Sequence, residues 1–378
     1  MERRRNVTSG HQLINRNAAI LIAPARDHHH QHQRSSNTCR ATSERSTMVS
    51  NVAAEVVDPT VVPTSTKTSG TDRTTDPKAS SQGNQTPHKD ITPELGAVQE
   101  TLLIPLIGRV VETRKGKDKG MIDDPKSVEI IERLNYDFTK WESNPTIAGT
   151  VMRTLMMDEF VQSFLDDHPT GTVIEIGSGL NTRFERLDNG QVQWFDLDLP
   201  DTMALRRNFF DDEPRRTTIA ASIVDTDWIE TVQQTGGPYC FVSEAVIIYL
   251  EKELVQKTIR QIVDNFPDPT TTIVMDTTGT KNVDGQANSD LMKHLSEEAW
   301  FRWKCDDPAE LEQWTDGKLK LMESRSFFDA PKEIAAKLAF PIGFLLTWVP
   351  FLMRMVSPGY RLNVYKVSGD TCEAGGNE

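Results

Sequence analysis

The chain has 378 residues with 42 Lys/Arg and 55 Asp/Glu, a formal charge of −13 at pH 7. Residues 1–90 hold twelve basic and eight acidic residues, net +4, which leaves 30 and 47, net −17, to residues 91–378. So acidic a body repels a phosphate backbone, which excludes nucleic acid as the main partner. The four cysteines (Cys39, Cys240, Cys305, Cys372) have no CxxC or finger spacing, so neither a disulfide framework nor a structural metal site is expected.

The first 135 residues contain no Phe, Trp or Tyr, and residues 1–90 are rich in Ser, Thr, Asn, Gln and Pro. Such a stretch buries too little surface to offset its chain entropy, so residues 1–90 are read as a disordered tail. Eight Arg against three acids in residues 1–46 also permit an organelle-targeting reading, with Met48 as an alternative start. His28, His29, His30 and His32 form a short tract in that tail, where metal contact would be adventitious. The chain otherwise reads as intracellular, with the cytoplasm as the expected compartment.

Residues 91–368 are read as one domain, with a helical cap over 91–170, a core over 171–368 and a flexible end at 369–378. In the cap, Leu95–Val111 reads as a helix broken or bent at Pro105. Asp124-Pro125 opens a helix to Trp141, with Ile130, Ile131, Leu134, Phe138 and Trp141 on one apolar face. A third helix covers Ile147–Leu165. The period then changes: strands are expected at 172–176, 192–197, 217–221, 239–243 and 271–275, with helices at 252–265 and 287–304. Two last strands are expected at 319–323 and 362–367. Strands alternating with helices predict a mostly parallel α/β sheet of about seven strands with helices on both faces. The apolar run Leu338–Met353 has 16 residues with two prolines, short of the roughly 20 needed to span a bilayer, and reads as a buried or site-covering segment.

The chemistry starts at Val173-Ile174-Glu175-Ile176-Gly177-Ser178-Gly179. A strand running into Gly-x-Gly allows a ligand to approach backbone where a Cβ would clash. Asp196 and Asp198 follow 19 and 21 residues after Gly177, at the tip of the next strand, where an acid accepts the hydroxyls of a ribose. Alternation puts both on one face, so the pattern does not choose between them.

The segments EIGSGLNTRFERL, WFDLDLP and FVSEAVIIYLEKE resemble the leucine carboxyl methyltransferase family. So do ETLLIPLIGRVVETRKGKDKGMIDDPKSVEIIERLNYDF, closest to its tetracenomycin-type polyketide branch, and DDPAELEQWTDGKLKLMESRSFFD. The resemblance spans about Glu100–Tyr365. It implies a Rossmann-like class I methyltransferase using S-adenosyl-L-methionine. On it, Arg153 is the arginine for the methionine carboxylate, Gly177, Ser178 and Gly179 lie under the cofactor, and Asp198 is the ribose acid. Ser222 and Ile223 match the pair beside the adenine, and Glu244 the acid for the methionine amino group. Two departures are evident. Asn181 stands where the family commonly has Asp, and Met275-Asp276-Thr277-Thr278-Gly279 fits the usual pattern poorly, which bears on the acceptor.

Each residue also has a plainer reading. Arg153 could pair with Asp158 or Glu159, Asp198 could cap the next helix, and Glu244 could be a solvated strand end. Arg183 and Arg186 are read as structural ion pairs, Cys240 as core and His294 as an ordinary helix residue. Tyr249 could orient an acceptor or pack in the core. The expected activity is methyl transfer to a carboxylate or acidic hydroxyl of a small hydrophobic molecule, with no metal and no transmembrane segment. A protein C-terminal carboxylate, a cofactor-binding scaffold without turnover, and a nicotinamide enzyme are the alternatives. The acceptor's identity and the oligomeric state stay open.

Overall fold

The computed structural model describes residues 89–142, 144, 147–289, 291–338, 343 and 359–368. The expected N-terminal tail with its His tract, the expected flexible end and most of the apolar run Leu338–Met353 lie outside them.

Four helices come first: α1 (Leu103–Arg114), α2 (Pro125–Arg133), α3 (Thr139–Glu142) and α4 (Ile147–Asp167). Pro105 neither breaks nor bends α1. It occupies the first turn, after a 3₁₀ turn at Gln99–Leu102, where a missing N–H costs no helical bond. Asp124 caps α2 by accepting from the Ser127 N–H at 3.0 Å, with Pro125 in the first turn. The expected helix 125–141 is divided, because Leu134 turns extended and bridges Ile91, with the Asn135 N–H donating to the Ile91 carbonyl at 2.7 Å. The Asp137 carboxylate then accepts from the N–H and hydroxyl of Thr139 and opens α3.

The core alternates as the sequence predicts. It runs β1 (Thr172–Ile176), α5 (Arg183–Leu187), β2 (Gln193–Asp198), α6 (Pro200–Arg206), β3 (Arg216–Ala220) and α7 (Ile229–Gln233). Then come β4 (Tyr239–Ser243), α8 (Lys252–Asn265), β5 (Thr272–Thr278), α9 (Thr280–Gly285), β6 (Leu319–Ser326) and β7 (Tyr360–Val367). The single sheet has the order β3-β2-β1-β4-β5-β7-β6, parallel except that β7 runs antiparallel to both neighbours. Every residue of β1, β4 and β5 is buried, as strands covered on both faces must be.

The expected helix 287–304 is replaced by short 3₁₀ turns and extended chain. Gln286 clamps the Phe301 backbone from both sides, while the Arg302 and Cys305 N–H groups donate to the Ile248 and Thr278 carbonyls. Backbone groups spent on those partners cannot serve a helix.

One sheet face packs Ile174, Phe241 and Ile273 against Trp228, Ile259 and Phe266; the other packs Val173, Val242 and Val274 against Met156, Phe160 and Phe164 of α4. The cap has a core of its own. Leu103, Leu106, Ile107, Ile130, Leu134 and Trp141 gather with Leu180, just after β1, and with Leu205, Phe209 and Phe210 around the end of α6. The chain leaves β1 toward β2 and β4 toward β5, in opposite directions, so the carboxyl ends of β1 and β4 flank the crevice where α/β sheets bind ligands. Among the described residues no helix is long and apolar enough to cross a membrane.

Candidate active site

The crevice is lined first by the turn after β1. Gly177 and Gly179 have φ of +63° and +47°. A Cβ on Gly177 would stand 2.3 Å from Val246 Cγ2, so the turn is hemmed in by the chain that follows β4. Leu197 O accepts from the Gly177 N–H at 2.7 Å, which fastens the turn to β2.

Two guanidinium groups hold the turn's carbonyls. Arg206 of α6 donates to Gly179 O at 2.8 Å and Asn181 O at 3.0 Å, and Arg109 of α1 donates to Leu180 O at 2.8 Å. Arg109 is itself fixed by Asp124 at 2.9 Å, so the helix cap of α2 also anchors the turn. Asn181 donates to the Glu175 carboxylate at 2.8 Å while its own oxygen accepts from the Thr182 N–H. An aspartate there could not donate, and Glu175 would gain a like charge in place of a hydrogen bond.

The two acids of β2 separate cleanly. Asp196 is fully buried and paired with Arg206 at 2.9 Å and Arg216 at 2.7 Å. Asp198 sits at the strand tip, where its carboxylate accepts from the Gly179 and Leu199 N–H groups, both at 2.7 Å. Burial raises its pKa to about 6 against the pull of those two hydrogen bonds. Each oxygen keeps a lone pair for a further donor.

Beyond the turn, Arg153 of α4 reaches Glu244, the residue after β4, at 2.9 Å rather than Asp158 or Glu159. The Thr154 hydroxyl donates to the same oxygen at 2.7 Å, and Arg183 pairs with the other at 2.5 Å. Burial works against the Glu244 charge, but Arg153 and Arg183 outweigh it and hold its pKa near 2. Arg183 also pairs with Asp158 and Glu175, and Arg186 with Asp158, as expected of structural ion pairs.

The remaining candidates are nearby on the chain's turns. Ser222 and Ile223 follow β3; the Ser222 hydroxyl accepts from the Val224 N–H at 3.4 Å, and Ile223 is buried in the cluster around Trp228. Tyr249 is half-buried, with its ring edge-on to Phe301 at 5.2 Å; burial raises its pKa. Cys240 is a buried free thiol whose pKa burial lifts to about 12, an inert core residue. His294 lies in a 3₁₀ turn, edge-on to Trp141, away from these groups.

Four buried polar atoms at the ends of β1, β4 and β5 have no hydrogen-bond partner among the described residues: the hydroxyls of Ser178, Ser243 and Thr278, and Asp276 Oδ1. Buried polar atoms are almost always paired. Orphans gathered at the carboxyl edge of three adjacent strands fit a polar ligand seated there. The sequence reading missed Asp276 as a site residue, and Tyr360 with it, because the last strand was expected to begin at Leu362. Asp276 Oδ2 accepts from the Tyr360 hydroxyl, which lies 3.4 Å from Arg153.

The chain is similar to several known proteins. It is 28% identical over 242 residues to the tetracenomycin polyketide synthesis O-methyltransferase TcmP of Streptomyces glaucescens, covering 64% of this chain and 87% of that protein. Among solved structures it is similar to a DUF574 family protein from Streptomyces avermitilis (TM-score 0.45, 12% identical, 70% of this chain and 96% of that one). It is also similar to an O-methyltransferase family protein from Burkholderia thailandensis (TM-score 0.39, 15% identical, 70% of this chain and 73% of that one). The family model described as leucine carboxyl methyltransferase matches residues 103–263, from the start of α1 through the glycine turn and Glu244 into α8.

Proposed function

We propose that the protein is an S-adenosyl-L-methionine-dependent O-methyltransferase acting on a carboxylate or acidic hydroxyl of a small, hydrophobic molecule. The observation that carries this reading is the glycine turn locked to Asp198 at the strand crossover, with orphaned polar atoms around it, inside the segment that matches the leucine carboxyl methyltransferase model. The name of the Streptomyces glaucescens relative, an O-methyltransferase of polyketide synthesis, supports a small-molecule acceptor here too.

The residues present fit the cofactor. Gly177, Ser178 and Gly179 would lie beneath it, Asp198 would accept from the ribose, and Ser222 with Ile223 would flank the adenine. The methionine end meets the cluster of Arg153 and Glu244. When bound, the sulfonium supplies a strongly activated methyl group. The chain's own contribution is alignment, which by itself lowers the barrier substantially. A carboxylate acceptor is already ionised at neutral pH and needs no base. Tyr249 orients the acceptor from beside Phe301. The free, buried Cys240 and Cys305 are in keeping with a reducing, intracellular compartment.

Calorimetric titration of the full chain with S-adenosylmethionine and S-adenosylhomocysteine tests the reading. Wild-type protein binds both, and Asp198→Ala loses both while remaining folded by circular dichroism. A folded wild-type chain that binds neither ends the methyltransferase reading.

A further inference from the structure

We propose that Tyr360 is a positioning residue: its hydroxyl, anchored on Asp276, orients Arg153 to receive the carboxylate at the methionine end of the bound cofactor. This deepens the function proposed above and rests on it.

Arg153 needs an orienting partner because Glu244 alone does not fix it. Its Nε donates to Glu244 Oε1 at 2.9 Å, while the other oxygen of Glu244 is taken by Arg183. The two-oxygen grip that normally sets the plane of a guanidinium is therefore not open to Arg153. A single bond at Nε would let the group swing about it. The second hold comes from β7, where the Tyr360 hydroxyl accepts from Nη1 at 3.4 Å. With two different nitrogens fastened, the plane is set and Nη2 remains as the donor for a ligand. Arg153 keeps 11% of its side chain exposed, whereas Arg183 beside it keeps none, so Arg153 is the guanidinium of this cluster that opens on the crevice.

Tyr360 is itself held at both ends. Its ring stacks on Phe327, with centroids 5.2 Å apart and planes within 15°. Its hydroxyl donates to Asp276 Oδ2, which also accepts from the Ala245 N–H at 2.8 Å. Burial and the charge of Asp276 raise the Tyr360 pKa, so the hydroxyl keeps its proton for Asp276 and offers its lone pairs to Arg153. The backbone fixes where that hydroxyl sits: Tyr360 opens β7 opposite Thr278, and Asp276 lies two residues before Thr278 on β5. A chain of hydrogen bonds thus runs from the edge of the sheet through Tyr360 to the arginine, and its last member alone meets the ligand.

The test is calorimetry on the full chain with two probes. One is S-adenosylhomocysteine; the other is 5′-deoxy-5′-(3-aminopropylthio)adenosine, which keeps the amino group and lacks only the carboxylate. Tyr360→Phe retains the ring on Phe327 and removes the bond to Arg153. It is expected to weaken S-adenosylhomocysteine by about fivefold and to leave the decarboxylated probe within about twofold of wild type. Arg153→Met is expected to bring S-adenosylhomocysteine down to the level of the decarboxylated probe, and adding Tyr360→Phe to it costs nothing further. A Tyr360 that merely supports the fold would weaken both probes alike or shift only the melting temperature, and either result in a folded Tyr360→Phe chain overturns the proposal. So does a full further loss when Tyr360→Phe is added to Arg153→Met, because Tyr360 would then act without the arginine. Arg153→Met alone also decides: if the gap between the probes survives it, Arg153 does not hold the carboxylate and Tyr360 has nothing to position. Wild type that binds neither probe overturns the cofactor reading itself.

Discussion

Gly177 shows how little freedom single residues have in this turn. Its φ of +63° disfavours any side chain, and the missing Cβ would lie 2.3 Å from Val246 Cγ2. Gly177→Ala is therefore expected to destabilise the chain by about 2–3 kcal/mol, through overpacking and left-handed strain together. Urea unfolding checks this, with a specific control. Gly177→Ala with Val246→Ala should recover the overpacking part and keep about 1–2 kcal/mol from the backbone. If the double variant recovers nothing, the contact with Val246 is not the constraint. Asn181 makes a parallel case by charge. Its amide donates to Glu175, whose pKa burial raises to about 7 despite Arg183, so Asn181→Asp exchanges a donor for a second buried carboxylate. A loss of about 1–3 kcal/mol is expected in the same unfolding experiment. An unchanged midpoint would mean that the amide contributes nothing beyond its shape.

Among elements, α6 does more than follow β2. Arg206 near its end is fully buried, pairs with Asp196 and reaches back under the Gly179 and Asn181 carbonyls. Arg206→Ala leaves Asp196 with Arg216 alone and two turn carbonyls bare. It is expected to cost about 3 kcal/mol of stability and to weaken S-adenosylhomocysteine binding, since the turn is proposed to hold the cofactor. Tight S-adenosylhomocysteine binding in a folded Arg206→Ala chain would show the turn holds itself. None of this was legible in the sequence. The strands were, because β1, β4 and β5 are short apolar runs bounded by turn residues, and the glycine turn was, because nothing else puts two glycines at the end of such a run. The choice between Asp196 and Asp198 was not, because period-2 alternation treats them alike and the arginines that claim Asp196 come from α6 and β3. The helices expected at 125–141 and 287–304 failed for a related reason. Their apolar spacing is real, but Ile91, far back in the chain, and Gln286, 15 residues before Phe301, capture the backbone groups that would have continued them. Tyr360 was lost to a strand boundary misplaced by two residues.

Across the whole molecule, the buried acids of the site set the direction of pH dependence. Burial raises Asp198 and Asp276 to about 6 and Glu175 to about 7, all above their unfolded values, so the ligand-free folded chain binds more protons than the unfolded chain at mildly acidic pH. Their contribution to stability is present below about pH 4 and is lost as pH rises through 6 to 7. Glu244 acts in the opposite sense. Arg153 and Arg183 hold it near 2, so its contribution is present above about pH 4.5 and is lost as pH falls toward 2. Three raised acids outweigh Glu244, so the opposing slopes place maximum stability of the ligand-free chain at about pH 4, with a decline on the order of several kcal/mol toward pH 7.5. The net charge of −13 adds to that decline, because self-repulsion grows as pH moves above the sequence pI of about 5.2. Thermal unfolding of the full chain from pH 4 to 8 separates the two sources. Asp198→Asn and Asp276→Asn change one charge each, so a decline due to net charge alone would persist in both almost unaltered. If the site acids cause it, each variant flattens the slope between pH 5.5 and 7. A wild-type melting temperature that rises steadily from pH 5 to 7.5 would mean that these carboxylates are not held protonated in the folded chain.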